Sequence, residues 1–229
     1  EVGYEDAGVQ MLGVDTVFIR TKELNEGDLG LIEDSLARNV SPVQQISKVD
    51  TVSPIVAEET VRNAIIAVLA AAVGILIFIT WAFRHIPGSF RYGVSAVMAL
   101  SHDMLIVIGI FSILDYEISL PIIAAFLTIV GYSLNDTIII FDRIRENVKS
   151  NKRASYIDTV DKSINQSISR TLITSLTTFL VVFILWAFGG EVIHLFAFAM
   201  MVGVIIGTYS SIYIASPFIV LLHSGKHTK

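Results

Sequence analysis

Five stretches of this chain are each long and apolar enough to cross a lipid bilayer, and they constrain the fold more than any other feature. Residues 64–83 and 171–190 carry no charge at all. Residues 92–114 are interrupted only by His102 and Asp103, residues 118–141 hold the single acid Asp136, and residues 192–222 have His194 near their start. At a rise of about 1.5 Å per residue, roughly 20 residues cover the ~30 Å hydrocarbon layer. Lipid offers no partner to an unpaired backbone amide, so these spans must be helices. Charged residues make up 16% of the 229, against about 25% in an average soluble domain. Soluble enzymes, secreted disulfide scaffolds and nucleic-acid readers are thereby excluded. There is no cysteine, which removes thiol catalysis and Cys-based zinc sites.

Charge divides the chain. Residues 1–62 hold 12 acids and five bases, whereas residues 63–229 hold nine acids and 11 bases. The expected organisation is a partial extracytoplasmic α/β domain at 1–53, a transmembrane domain at 54–223 and a short cytoplasmic tail at 224–229. Arg84 and Arg91 lie between the first two spans. Arg143, Arg145, Lys149, Lys152, Arg153, Lys162 and Arg170 crowd the link between the third and fourth, and Lys226 and Lys229 end the chain. Every basic link falls on one side, which the positive-inside rule makes the cytoplasm. The N-terminal domain is then outside. Residues 1–30 contain neither a signal peptide nor a span to carry it there, so the topology predicts at least one further span upstream of residue 1.

Within the outer segment, GVDTVFIRTK at 13–22 reads as a strand, and 26–38 as a helix with Leu29, Ile32, Leu36 and Ala37 on one face. Residues 45–52 read as a second strand. Ser53-Pro54 reads as an N-cap with proline at the first helical position, so the first membrane helix should begin outside the bilayer and join rigidly to the outer domain. In the link at 143–169, Ile157, Val160, Ile164 and Ile168 recur at helical spacing after a Ser155-x-x-Asp158 capping box. That pattern predicts an amphipathic helix on the cytoplasmic surface, resting on anionic lipid or docking a partner.

A charge at the centre of a span costs at least ~2.5 kcal/mol on insertion scales, so each one is a functional candidate. Asp136 lies seven residues before Arg143, roughly 10 Å inside the membrane, with Ser133 and Asn135 beside it and Gly131 giving room for close approach. Arg170 opens the next, antiparallel span and is long enough to reach toward Asp136. Burial raises a carboxyl pKa and a neighbouring Arg lowers it. An arginine that approaches and leaves would make Asp136 take up and release a proton in step with conformation; a permanent pair would be static. Asp103, near mid-depth, is the second membrane acid, with relay and structural roles both open; His102 points ~100° away on the helix and need not share its partner. Thr171, Thr174, Ser175, Thr177 and Thr178 make the start of the fourth span polar. Their hydroxyls either bond back to helix carbonyls or line a wet path beside Arg170. Ala199, Gly203, Gly207, Ser211 and Ala215 recur every four residues, a stripe for tight packing inside the subunit or against another. His194 is expected to be interfacial.

The stretch GYSLNDTIIIFDRIREN at 131–147 resembles the signature of the SecF family, and RTLITSLTT at 170–178 looks like the start of the following SecF span. SHD at 101–103, FGG at 188–190 and the segment 207–215 also fall where SecF segments would, so the likeness covers roughly 53–222. The resemblance implies a polytopic helical subunit of resistance-nodulation-division type, with six spans and an external domain between the first two. It implies work with SecD, as a separate or fused chain, beside the SecYEG channel and after the SecA ATPase, drawing on the proton-motive force to move exported polypeptide across the bacterial plasma membrane. Asp136 matches the essential transmembrane aspartate and Arg170 the arginine of the neighbouring span, which makes them the proton-relay pair, with Asp103, Asn135 and Thr174 as secondary relay or polar support. No enzymatic step, cofactor or metal is expected, and the coupling ion is H⁺ or Na⁺. Competing readings are half of a small-molecule exporter, a passive scaffold of the channel, and an intramembrane aspartyl protease using Asp103 and Asp136. The protease reading lacks a GxGD element around either acid.

Overall fold

The computed structural model describes residues 7–12, 16–21, 24, 27–39, 54–116, 118–150 and 154–224. The chain forms two units, residues 1–62 and 63–229. In the first, β1 (Gly8–Leu12) pairs antiparallel with β2 (Thr16–Arg20), Gly8 opposite Arg20 and Leu12 opposite Thr16. Helix α1 follows at Asp28–Asn39 and buries none of its residues. Thus β2 falls inside the expected strand and α1 matches the expected helix to within two residues at either end, while β1 went unread because GVQML is short and does not alternate cleanly. The strand expected at 45–52 and the cap expected at Ser53 lie outside the described residues.

The membrane unit is built from α2 (Pro54–Ala82), α3 (Ser89–Ile113), α4 (Leu120–Ser150), α5 (Tyr156–Phe188) and α6 (Glu191–Ser210). A π-helical turn at Ser211–Ala215 leads into α7 (Ser216–Ser224). Proline 54 opens α2, where its missing N–H costs nothing. Among the described residues, five helices are long and apolar enough to cross a membrane, the last being α6 continued through the π-turn and α7. The π-turn precedes Pro217, whose ring cannot tolerate a regular carbonyl four residues back. Ser216 Oγ donates instead to the Ser211 carbonyl at 2.8 Å.

The link at 143–169 corrects the expectation. It holds no separate surface helix: α4 runs on to Ser150 and α5 already begins at Tyr156, so both spans extend past the apolar run as one helical hairpin. Ser155 does cap α5, accepting from the Asp158 N–H at 3.1 Å. The periodic apolar residues pack inward, with Val160 buried and Ile164 against the same cluster as Ile140, Phe141 and Ile144, while Ile157 stays exposed. Helix–helix contact, which periodicity cannot tell from contact with lipid, is what the pattern encodes. Ser155→Ala should weaken the start of α5 by about 1 kcal/mol, read as roughly fivefold faster hydrogen exchange in its first turn.

Two apolar clusters stack along the bundle. One, toward the basic links, contains Phe83, Tyr92, Phe141 and Ile144; the other contains Val107, Phe111, Phe126 and Ile129. Between them α4 and α6 cross closely. A Cβ on Gly203 would stand 2.4 Å from the Ile129 side chain, and one on Gly207 3.0 Å from Ser133 Cβ. Ala199, Gly203, Gly207, Ser211 and Ala215 are all buried, so the small-residue stripe serves an internal contact. Gly207→Val should push Ser133 aside and destabilise the bundle by ~1–3 kcal/mol, measurable as a lower unfolding temperature in detergent.

Candidate functional site

Where the two apolar clusters meet, the packed helices turn polar. Asp103, Ser133, Asp136, Thr137, Ser175 and Ser210 are each buried at this level. Helical spacing explains the grouping: Ser133 and Asp136 occupy adjacent turns of α4, and Thr208 and Ser210 sit in the same turn of α6. The close α4–α6 crossing lets both sets reach a carboxylate.

Asp103 is 0% exposed and held on both oxygens. Ser133 and Ser210 donate to Oδ2, the latter at 2.8 Å, and His102 Nδ1 lies 3.0 Å from Oδ1. The expectation that His102 points elsewhere is therefore corrected. Its backbone direction differs by ~100°, but the imidazole folds back onto the neighbouring carboxylate. A carboxylate gathered by three side chains from three helices is a structural tie. Of the two roles left open for Asp103, the geometry favours support.

Asp136 is held differently. It is 1% exposed, and Ser175 Oγ on α5 and Thr208 Oγ1 on α6 reach its Oδ2 at 3.0 and 3.4 Å. Thr208 Oγ1 also lies 2.6 Å from Ser175 Oγ and 2.8 Å from the Val204 carbonyl, so its single hydrogen serves one of these acceptors at a time. The other oxygen, Oδ1, is buried and has no partner among the described residues. Such a group is rare in a protein interior and calls for a physical reason. One half of this carboxyl is anchored, and the other is left without a partner among the described residues.

Arg170 is exposed and makes no ion pair with Asp136 among the described residues. It lies five residues before Ser175, about 7.5 Å along α5 and ~140° around it from the face that meets Asp136. Thr174 faces outward and bonds to the carbonyls of Arg170 and Thr171 at 3.0 and 2.9 Å, so it does not touch the carboxylate. Asn135 is exposed, and nothing of the described chain lies within 4 Å of a Cβ built on Gly131, so neither enters this cluster. Ser133 serves Asp103 rather than its own neighbour. Thr208 and Ser210 were not singled out from the sequence; the available signal was the cluster of hydroxyl residues at 208–211 in the middle of an apolar span. His194 bonds the Trp186 carbonyl at 3.1 Å and packs on its ring, tying α6 to α5.

Comparison with known proteins bears on this arrangement. The family described as protein export membrane protein SecD/SecF, C-terminal, matches residues 32–225. The protein translocase subunit SecF of Thermodesulfovibrio yellowstonii is 44% identical over 232 residues, covering 100% of this chain and 75% of that protein. The SecF of Desulfurispirillum indicum is 40% identical, over 96% of this chain and 71% of its own. The crystal structure of SecDF, a translocon-associated membrane protein from Thermus thermophilus, superposes with a TM-score of 0.85 at 39% identity. That match covers 97% of this chain and 30% of the SecDF chain. A SecDF structure in a super-membrane-facing form gives 0.74 at 36% identity, over 92% of this chain and 28% of the other.

Proposed function

The chain belongs to the SecD/SecF family of protein-export membrane proteins, and we propose that it is the SecF part of a Sec translocase accessory complex that uses a proton gradient to drive late steps of polypeptide export. Its partner is SecD, as a separate chain or fused to it, acting beside SecYEG on substrates that SecA has started across. The observation that carries the reading is Asp136: a carboxylate inside a membrane span, anchored on one oxygen and unpartnered on the other. Orientation follows the basic links, with residues 143–170 in the bacterial cytoplasm and the N-terminal unit, as part of a small α/β domain of resistance-nodulation-division type, outside. The protein performs no covalent chemistry and needs no cofactor.

In the working cycle, protonation neutralises Asp136 and release of the proton restores a charge that Arg170 then swings in to compensate. A proton crossing 100 mV supplies about 2.3 kcal/mol. That is comparable to the ~2.5 kcal/mol minimum for a bare charge at the centre of a span, and shifts a two-state equilibrium by roughly fiftyfold. One proton is enough to choose between two helix arrangements. Arg170→Lys keeps the charge but loses the planar fork, and should leave a partial response to the gradient.

The test is reconstitution. Inverted vesicles lacking SecD and SecF should complete export equally with and without a proton gradient once ATP has initiated it. Adding full-length SecD and SecF should restore acceleration by the gradient. Acceleration by a sodium gradient alone would instead assign Na⁺ as the ion. Identical export in all vesicles would leave a passive scaffold.

A further inference from the structure

Two buried oxygens without hydrogen-bond partners among the described residues lie on the facing helices α4 and α5: Oδ1 of Asp136 and Oγ1 of Thr171. Asp136 is 1% and Thr171 0% exposed. Ser175 links them, since it bonds Asp136 Oδ2 and stands four residues from Thr171 on the same face of α5. Four residues rise about 6 Å, so Thr171 stands one turn from Ser175 on the face of α5 that meets Asp136. Internal water is the usual partner of buried oxygens that no protein group satisfies.

Thr171 also belongs to a longer row. Thr159, Ser163, Ser167, Thr171 and Ser175 recur every four residues along α5, and all five are buried. The row runs from Asp136 toward the basic end of the bundle, where Asn147 reaches across from α4 and donates to Ser163 Oγ at 2.8 Å. Thr159 and Ser163 spend their own hydrogens on carbonyls one turn back, at 2.8 and 2.6 Å. Their oxygens keep lone pairs, the capacity needed to hold a hydronium rather than an anion. The facing wall of α4 is apolar, with Ile140 and Ile144 buried.

Resting on the reading of Asp136 as the coupling carboxylate, we infer that Thr171 and Ser167 line a water-bearing passage between α4 and α5 through which Asp136 discharges its proton toward the basic end. The proton leaves Oδ1, the water bridging to Thr171 takes it as hydronium, and the carboxylate left behind keeps its Ser175 hydrogen bond on Oδ2. Hydroxyls further along α5 accept from the departing ion. Thr171 thus positions the proton acceptor without itself being charged.

The residues described contain no native thiol, which makes single cysteines easy to follow. Full-length protein with SecD, carrying Ser167→Cys, Thr171→Cys or Leu172→Cys as its one cysteine, is placed in inverted vesicles and treated with Ag⁺, which binds thiolate reached by water. Thiols left free are then counted with a maleimide after denaturation. Positions 167 and 171 should be protected by Ag⁺, while Leu172, 52% exposed on the outer face of α5, should not. Equal reactivity at all three positions overturns the passage. In the second arm, Thr171→Val keeps the shape and removes the hydroxyl. Export driven by the gradient should fall several-fold and recover in Thr171→Ser, with ATP-driven initiation unchanged. A full gradient response in Thr171→Val, alongside its loss in Asp136→Asn, removes the passage and leaves the role of Asp136 standing. A full response in both removes that role as well.

Discussion

Asp136→Asn should abolish acceleration of export by a proton gradient while leaving the protein inserted and ATP-driven initiation intact. The amide has nearly the volume of the carboxylate, and its oxygen can still accept from Ser175 Oγ, which stands 3.0 Å from Oδ2. The loss falls on the partnerless Oδ1, which becomes an NH₂ that does not titrate. Removing the charge also lightens insertion, so normal membrane accumulation is expected, and the effect should appear only when a gradient is applied. Asp136→Ala differs, because it deprives Ser175 of its acceptor and adds a stability defect.

The second large effect belongs to Asp103 and has the opposite character. Asp103→Ala leaves the buried hydroxyls of Ser133 and Ser210 and the His102 ring without their common acceptor. At about 1–3 kcal/mol per unsatisfied buried group, destabilisation of roughly 2–4 kcal/mol is expected. It should be read as a lowered unfolding temperature and reduced accumulation in the membrane. Asp103→Asn supplies an oxygen for the two serines and should recover most of that stability. If the tie is structural, Asp103→Asn also retains its response to the gradient, which sets it apart from Asp136→Asn. Loss of the response in a stable Asp103→Asn protein would move Asp103 into the relay.

The contrast between these two acids was not legible in the sequence. Both appear as lone carboxylates in apolar runs, and helical depth places Asp103 near the middle of the membrane and Asp136 roughly 10 Å inside it. What separates them is how many hydroxyls from other helices reach each one, and that depends on the crossing of α4 over α6. The Gly203 and Gly207 spacing announced a close approach but not its target; contact with Ile129 and Ser133 fixes the register that carries Ser210 to Asp103 and Thr208 to Asp136. The spans themselves were legible because lipid leaves so little choice. Their ends were not. Hydropathy stopped α4 at about Phe141 and started the next span at Thr171, whereas the helices extend to Ser150 and from Tyr156. A helical hairpin satisfies its backbone equally well in lipid and in water. The N-terminal part of the hydroxyl row of α5 was hidden for a related reason: Ile157, Val160, Ile164 and Ile168 draw attention to an apolar period, while Thr159, Ser163 and Ser167, one residue before the last three of these, are buried on the same helix.

The central claim is that Asp136 carries the proton whose movement is coupled to export, and proton flux measures it most directly. Inverted vesicles containing the full translocase with SecD and SecF, loaded with a luminal pH dye and holding a proton gradient, are given a substrate whose export ATP has already begun. The account predicts a proton efflux from the lumen that appears only while polypeptide is moving in the wild type, and that is absent in Asp136→Asn. Equal export-dependent efflux in the two proteins would contradict it.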